Sequence, residues 1–256
     1  MKEKFNVHSK EEVKKWYEKK DIAGKYLEKR FQDPLGILRH VKQVEVINKQ
    51  IKKRKPKHVL DIACGPARIT KDLKGNFEGL AVDNSDEMLG IAKKRLNLKK
   101  WQLKKVDAFN LKLDGKFDLI TSFRFVRHFE LDKRKIFYKE VYDLLEGSGV
   151  FIFDVVNFKE WNFIHKLSRV LGRKPNIPVY DKLYTKSEIK KELEQNGFRV
   201  VHMKPLINWF LIEFIISRFF GLIRLNKLGF CLLYVVDKIK GFNPWEWVVI
   251  CEKIDK

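Results

Sequence analysis

The chain has 256 residues, 45% of them hydrophobic, enough to bury a substantial core and to exclude a fibrous or disordered polymer. Its 54 Lys and Arg against 33 Asp and Glu leave a formal charge of +21, which favours anionic partners such as RNA or acidic lipid headgroups unless it merely reflects a Lys-rich proteome. The cysteines Cys64, Cys231 and Cys251 fit no zinc spacing and suit a reducing cytoplasm. Met1 is followed by charged residues rather than a signal peptide, and no uncharged run reaches membrane-spanning length.

Residues 9–55 read as helical, with a break at Asp33-Pro34-Leu35-Gly36. They end in Lys52-Lys53-Arg54-Lys55-Pro56, where proline discourages a continuing helix. Residues 1–56 are therefore expected to form an N-terminal helical cap. The rest, 57–256, forms an α/β domain with insertions at about 158–183 and 206–241. From Lys57 short apolar runs alternate with helical patterns. Strands are expected at His58–Ala63, Gly79–Val82, Trp101–Val106, Phe117–Phe123 and Gly149–Val155, with helices at Ile69–Leu73, Asp86–Leu96 and Lys133–Leu144. Thr185 opens another helix, Glu188 completes a capping box, and Asn196-Gly197 stops it. Phe198–Met203 and Glu246–Cys251 read as the last strands. Such alternation predicts a doubly wound, mostly parallel sheet.

The apolar insertion 206–236 is interrupted by Glu213, Arg218, Arg224 and Lys227. As a helix over 209–225 it places Glu213, Ser217 and Arg224 near one face, a narrow polar stripe on a wide apolar body. Three roles remain open: core or dimer packing, a wall for a greasy acceptor, or peripheral contact with a membrane surface.

In open parallel sheets ligands sit beyond the carboxyl ends of the strands. Three such ends carry carboxylates. Asp61 lies in Val59-Leu60-Asp61-Ile62-Ala63-Cys64-Gly65-Pro66-Ala67, where Gly65 lets the backbone approach a ligand closely and Asp61 can hold a cationic amino group. Asp83 ends the second strand, 22 positions later, where a carboxylate can accept from two ribose hydroxyls. Asp107 ends the third, where it can accept from an adenine amino group.

This arrangement resembles the class I S-adenosylmethionine-dependent methyltransferases, in particular the small-molecule group that includes quinone-biosynthesis enzymes. The resemblance covers roughly residues 57–157, and more loosely 184–203 and 246–253. It implies a Rossmann-like, doubly wound, seven-stranded α/β sheet, mostly parallel with an antiparallel last strand, plus helical cap insertions. It also implies S-adenosyl-L-methionine as cofactor, without a metal. Carried over residue by residue, Asp61, Ala63, Cys64 and Gly65 would wrap the methionine part and Asp83 the ribose. Asn84 and Met88 would border the adenosine, Asp107 and Ala108 would hold the adenine edge, and Ser122 would approach the methionine moiety. Ala63 and Ala67 replace the glycines that flank Gly65 in the family. A nicotinamide enzyme would need a third turn glycine, and Arg68 stands there instead.

Beyond the fourth strand, Phe123, Arg124, Phe125, Arg127 and His128 are candidates for the acceptor side. His128 could take a proton and Arg127 could hold an anion. Tyr17 and Tyr26 could border the site from the cap. The residues Ser122-Phe123-Arg124-Phe125 lack the Pro-Pro-aromatic turn of base amino-methylation, and no cysteine nucleophile stands there for pyrimidine carbon-5. The first expectation is methyl transfer to a small, apolar or lipid-like acceptor. The alternatives are an RNA methyltransferase, suggested by the charge, and a cofactor-binding protein without catalysis. The oligomeric state is left open.

Overall fold

The computed structural model describes residues 31–172, 180–241 and 243–254. Tyr17, Tyr26 and the cap helices expected before Phe31 lie outside the described residues.

Helix α1 (Pro34–Arg54) starts where the Asp-Pro pair predicts. The Asp33 carboxylate accepts from the Gly36 N–H at 2.6 Å and Pro34 occupies the first turn, where its missing N–H is harmless. The sheet follows: β1 (His58–Ile62), β2 (Glu78–Asp83), β3 (Trp101–Lys105), β4 (Phe117–Ser122), β5 (Leu145–Asn157), the short β6 (Leu183–Tyr184), β7 (Phe198–Leu206) and β8 (Glu246–Lys253). The helices between them are α2 (Asp86–Lys93), α3 (Leu131–Leu144), α4 (Phe158–Val170), α5 (Lys186–Glu194), α6 (Phe210–Leu222) and α7 (Asn226–Val236).

The strand order is β3-β2-β1-β4-β5-β8-β7, with β6 paired to β5. β8 runs antiparallel to β5 and β7, while β1–β5 are parallel. This is the doubly wound sheet with its antiparallel last strand, β6 being an addition of two residues. Alternation along the strands feeds two cores. Val59, Leu119, Val150 and Ile152 face α1 and the α6–α7 pair, while Leu60, Ile120, Phe151 and Phe153 face α3 and α5.

Three expectations are corrected. Ile69–Leu73 is not a helix; only the 3-10 turn Thr70–Asp72 forms, because Ala67 takes the left-handed φ of 54° and stops a right-handed helix from propagating. The helix expected to reach Leu96 ends at Lys93 and finishes in turns. The helix over 209–225 forms as α6 but stops at Leu222, and α7 follows from Asn226. Arg224, placed on the polar face with Glu213 and Ser217, lies in the link between them with φ 57° and is exposed, whereas Glu213 and Ser217 are buried. The capping box at Thr185 and Glu188 forms as expected, and Gly197 takes φ 83° after α5.

Candidate active site

Parallel pairing sets the tips of β1, β2, β3 and β4 along one edge, because Asp61 is in register with Ala81 and Thr121, and Asp83 with Lys105. Beyond β1 lies a cleft of about 340 Å³, open mouth included, lined by Asp61, Ala63, Cys64, Gly65, Pro66, Arg68, Ile69 and Phe123. The turn that shapes it holds three left-handed residues: Ala63 at φ 55°, Gly65 at 54° and Ala67 at 54°. Glycine adopts this geometry freely and alanine does not, so the two alanines hold the turn under strain. A Cβ on Gly65 would meet nothing within 4 Å; only the backbone conformation asks for glycine there.

Asp61 is buried at the bottom of this turn. The Thr121 hydroxyl donates to one carboxylate oxygen at 2.8 Å and the Thr70 hydroxyl to the other. Burial raises its pKa from 3.8 to about 6, against the lowering effect of those two hydrogen bonds and of Arg68. Asp83 ties the turns together: one oxygen accepts from the Gly65 N–H at 2.8 Å, the other from the Ser85 N–H at 2.9 Å. Burial lifts its pKa, partly offset by those N–H groups. Each carboxylate oxygen can accept a second hydrogen bond, so Asp83 retains capacity for hydroxyls. Val106 donates its N–H to the Asp83 carbonyl at 3.1 Å, which sets the third tip beside the second. There Asp107 closes a small turn by accepting from Phe109 N–H at 3.0 Å. Asn84 is half-buried, Met88 and Ala108 are buried, and Ser85 caps α2 by accepting from Met88 N–H at 3.2 Å. Ser122, fully buried at the tip of β4, has a hydroxyl with no hydrogen-bond partner among the described residues.

The cleft thus brings together Asp61, Ala63, Cys64 and Gly65 with Phe123. Asp83 joins through its bond to Gly65, while Asn84, Met88, Asp107 and Ala108 sit at the neighbouring tips. Arg127 and His128 do not line the cleft. They lie in a 3-10 turn (Val126–His128) after β4, within a separate buried cluster. Arg127 Nε is 2.9 Å from Asp181 Oδ1 and its Nη1 is 3.7 Å from Asp154 Oδ2. His128 Nδ1 is 2.9 Å from the Tyr180 carbonyl oxygen and 3.2 Å from Asp181 Oδ1. A proton on Nδ1 donates to the Tyr180 carbonyl, leaving Nε2 as a buried acceptor without a partner among the described residues. Burial would raise the pKa of Asp181, but Arg127 and His128 outweigh it and hold the carboxylate below its usual range.

Sequence reasoning missed Thr70, Thr121, Asp154 and Asp181. The two threonines carry no motif, and Asp181 reaches its partners only through β6 docking on β5. Arg68 was read only as a missing glycine. It is buried, donating to Gln43 at 2.8 Å and to His40 Nδ1 at 3.2 Å, while His40 Nε2 faces Asp72 at 2.8 Å. Burial, with Arg68 beside it, lowers the His40 pKa to about 4 and keeps the ring neutral for this relay.

Residues 59–149 match the family model described as a methyltransferase domain. The chain carries a methyltransferase domain. No curated protein matches the sequence. The fold is similar to that of an S-adenosylmethionine-dependent methyltransferase from Clostridium acetobutylicum, at 20% identity over 84% of this chain and 92% of that one, TM-score 0.59. It is also similar to magnesium protoporphyrin IX methyltransferase from Synechocystis with bound S-adenosylhomocysteine, at 13% identity over 96% and 100% of the two chains, TM-score 0.66. A third is the putative methyltransferase of Haloferax volcanii in complex with the activator Trm112, at 15% identity over 96% and 97%, TM-score 0.61.

S-adenosylmethionine is the cofactor this methyltransferase domain implies, and the residues present fit it. A buried carboxylate at the β1 tip suits its ammonium, Asp83 keeps acceptor capacity for ribose hydroxyls, and the Ser122 hydroxyl has no partner among the described residues. No pyrophosphate-binding helix start follows the first turn, which suits a donor without one.

Proposed function

We propose that the protein transfers the methyl group of S-adenosylmethionine to a small, apolar or lipid-like acceptor. The donor supplies an already activated methyl group, so the protein mainly has to hold and align. Asp61, Ala63, Cys64, Gly65 and Ser122 take the methionine end, Asp83 with Asn84 and Met88 the ribose and adenosine, and Asp107 with Ala108 the adenine edge. The observation that carries this reading is the bond from Gly65 N–H to the Asp83 carboxylate. It fixes the strained turn and the acidic tip of β2 as one preformed cradle. Alignment of this kind can contribute several kcal/mol, up to about 7–11.

On the acceptor side, Phe123 is half-buried and lines the cleft. Aromatic surface of this kind favours an apolar acceptor. Where that acceptor carries a proton, His128 Nε2 takes it and Asp181 orients the imidazole; Arg127 holds Asp181 in place.

Calorimetric titration of S-adenosylhomocysteine into the wild type and Asp83→Asn, followed by incubation with labelled donor and a lipid extract or an RNA extract, tests this. Binding that weakens in the variant and label in the lipid fraction are expected. Label in RNA, with affinity falling steeply as salt rises, would instead favour an RNA acceptor, the reading the +21 charge supports. Binding without transfer to any fraction would favour a non-catalytic role.

A further inference from the structure

The α6–α7 pair is inside out. In α6 the inward arc holds Glu213, Ser217 and parts of Phe210, Ile216 and Phe220, while the outward arc carries large apolar side chains such as Ile212, Ile215 (59% exposed), Phe219 and Leu222 (77% exposed). α7 continues this outer face with Leu228, Leu232 and Val235, and buries Gly229 and Leu233. The inversion is built in by specific partners. Ser217 accepts from the Leu35 N–H at 3.1 Å, and Asp237 takes Lys42 at 3.0 Å and the Asn208 N–H at 2.9 Å. Gly229 lets α7 close in, since a Cβ there would lie 2.6 Å from Phe220 and 2.8 Å from Pro34.

Charge is sorted as strictly as polarity. Between 207 and 241 both carboxylates, Glu213 and Asp237, are buried, while Arg218, Arg224, Lys227, Lys238 and Lys240 are all exposed. We infer that this hairpin docks on an anionic lipid bilayer, with its outer apolar side chains at the headgroup–acyl boundary and its five cations against lipid phosphates. A second copy of the chain fits less well. A symmetric contact would bring these cations against one another with no exposed carboxylate on the hairpin to pair them, and Arg218 lies within the apolar arc of α6. The helices, 13 and 11 residues long, lie along the surface, and no helix among the described residues is long and apolar enough to cross a membrane. The hairpin leaves β7 at Leu206 and re-enters at Glu246, the sheet edge where β1, β2 and β4 end. Docking there sets the cleft edge toward the lipid. The docking itself does not depend on the proposed methyl transfer.

The test uses the full chain in flotation with vesicles of phosphatidylcholine alone or mixed equally with phosphatidylglycerol. The protein is expected to float with the mixed vesicles and far less with the neutral ones. Ile215→Glu with Leu222→Glu changes only exposed positions. It should abolish flotation while melting temperature and S-adenosylhomocysteine binding stay unchanged. Arg224→Glu with Lys227→Glu should lower binding to mixed vesicles by about tenfold or more. Cys231, exposed on α7 while Cys64 and Cys251 are buried, can carry a polarity-sensitive dye whose emission should shift blue on the mixed vesicles. A wild type that stays at the bottom with no dye shift overturns the inference. So does flotation equal to wild type in Ile215→Glu/Leu222→Glu. A dimer that this variant splits, without vesicle binding, would make the face a protein interface. Flotation without S-adenosylhomocysteine binding would instead count against the functional reading alone.

Discussion

Replacing Asp61 by Asn separates the two consequences of burying a carboxylate beneath the donor cleft. In the ligand-free protein its pKa stands at about 6, against an ordinary 3.8, chiefly because burial disfavours the charged form. The folded chain therefore holds this proton to higher pH than the unfolded chain does. Its contribution is most favourable below about pH 4, declines as pH rises to about 6, and leaves a deficit of about 3 kcal/mol at pH 7 and above. Asn keeps the shape: its Oδ1 accepts from one of the Thr70 and Thr121 hydroxyls and its NH2 donates to the oxygen of the other. Urea melts of Asp61→Asn should thus show greater stability than wild type at pH 7.5, by up to about 3 kcal/mol, with the difference shrinking toward pH 5. Donor binding should change in the opposite direction. If Asp61 pairs with the ammonium of the ligand, the variant loses about tenfold or more in S-adenosylhomocysteine affinity at pH 7.5. Wild-type affinity should also fall as pH drops below 6, with a proton released on binding near pH 6. A variant less stable than wild type at pH 7.5, or one binding the ligand as tightly as wild type, would refute the reasoning.

Ala63→Gly and Ala67→Gly relieve left-handed φ values, and each should raise stability by about 1 kcal/mol, read as a higher melting temperature. Glu192→Ala removes the acceptor of a bidentate Arg134 pair (2.8 and 2.9 Å) and of the Tyr138 and Tyr184 hydroxyls. It should cost about 3–5 kcal/mol in urea unfolding, and wild-type stability from this group should fade as pH drops, because Arg134 and both hydroxyls hold the Glu192 pKa down against burial. Glu213→Gln should stabilise the protein at pH 9 and not at pH 5, since burial and the neighbouring Asp237 push the Glu213 pKa up to about 8 and the penalty of ionisation grows as pH rises from 4.5 to 8. Asp181→Asn should leave donor affinity intact and lower turnover, altering the pH–rate profile if His128 is the base.

Much of the sheet was legible because strand and helix periodicities differ and turn residues punctuate them. His58–Ile62, Phe117–Ser122 and the Thr185 capping box fall within a residue or so of expectation. The three acidic tips were legible for the same reason: each ends an apolar run. The missing helix after β1 was not. Nothing in Ala67-Arg68-Ile69-Thr70 forbids a helix locally; the left-handed Ala67 and the burial of Arg68 against Gln43 are tertiary facts. The pairing of His128 with Asp181 was hidden likewise, since the two are far apart in the chain and meet only where β6 docks on β5.

The hairpin shows a deeper limit of pattern reading. An amphipathic period says that a helix has two faces; it does not say which face the protein keeps. Water normally decides, because exposing apolar surface is unfavourable, so Glu213 and Ser217 would be expected outside. Here the inner positions find partners that a solvent-facing polar stripe would forgo: the Leu35 N–H for Ser217 and, beside Glu213, the Lys42–Asp237–Asn208 set. Those contacts satisfy the buried polar groups only in part, since both Glu213 oxygens lack a hydrogen-bond partner among the described residues. A fold in water gains little from burying such a carboxylate while a dozen large apolar side chains between Leu211 and Ile239 stay exposed. The arrangement becomes favourable once the outer face meets an apolar medium. The residue choice that looks frustrated for a protein surrounded by water is the consistent one for a helix pair resting on lipid.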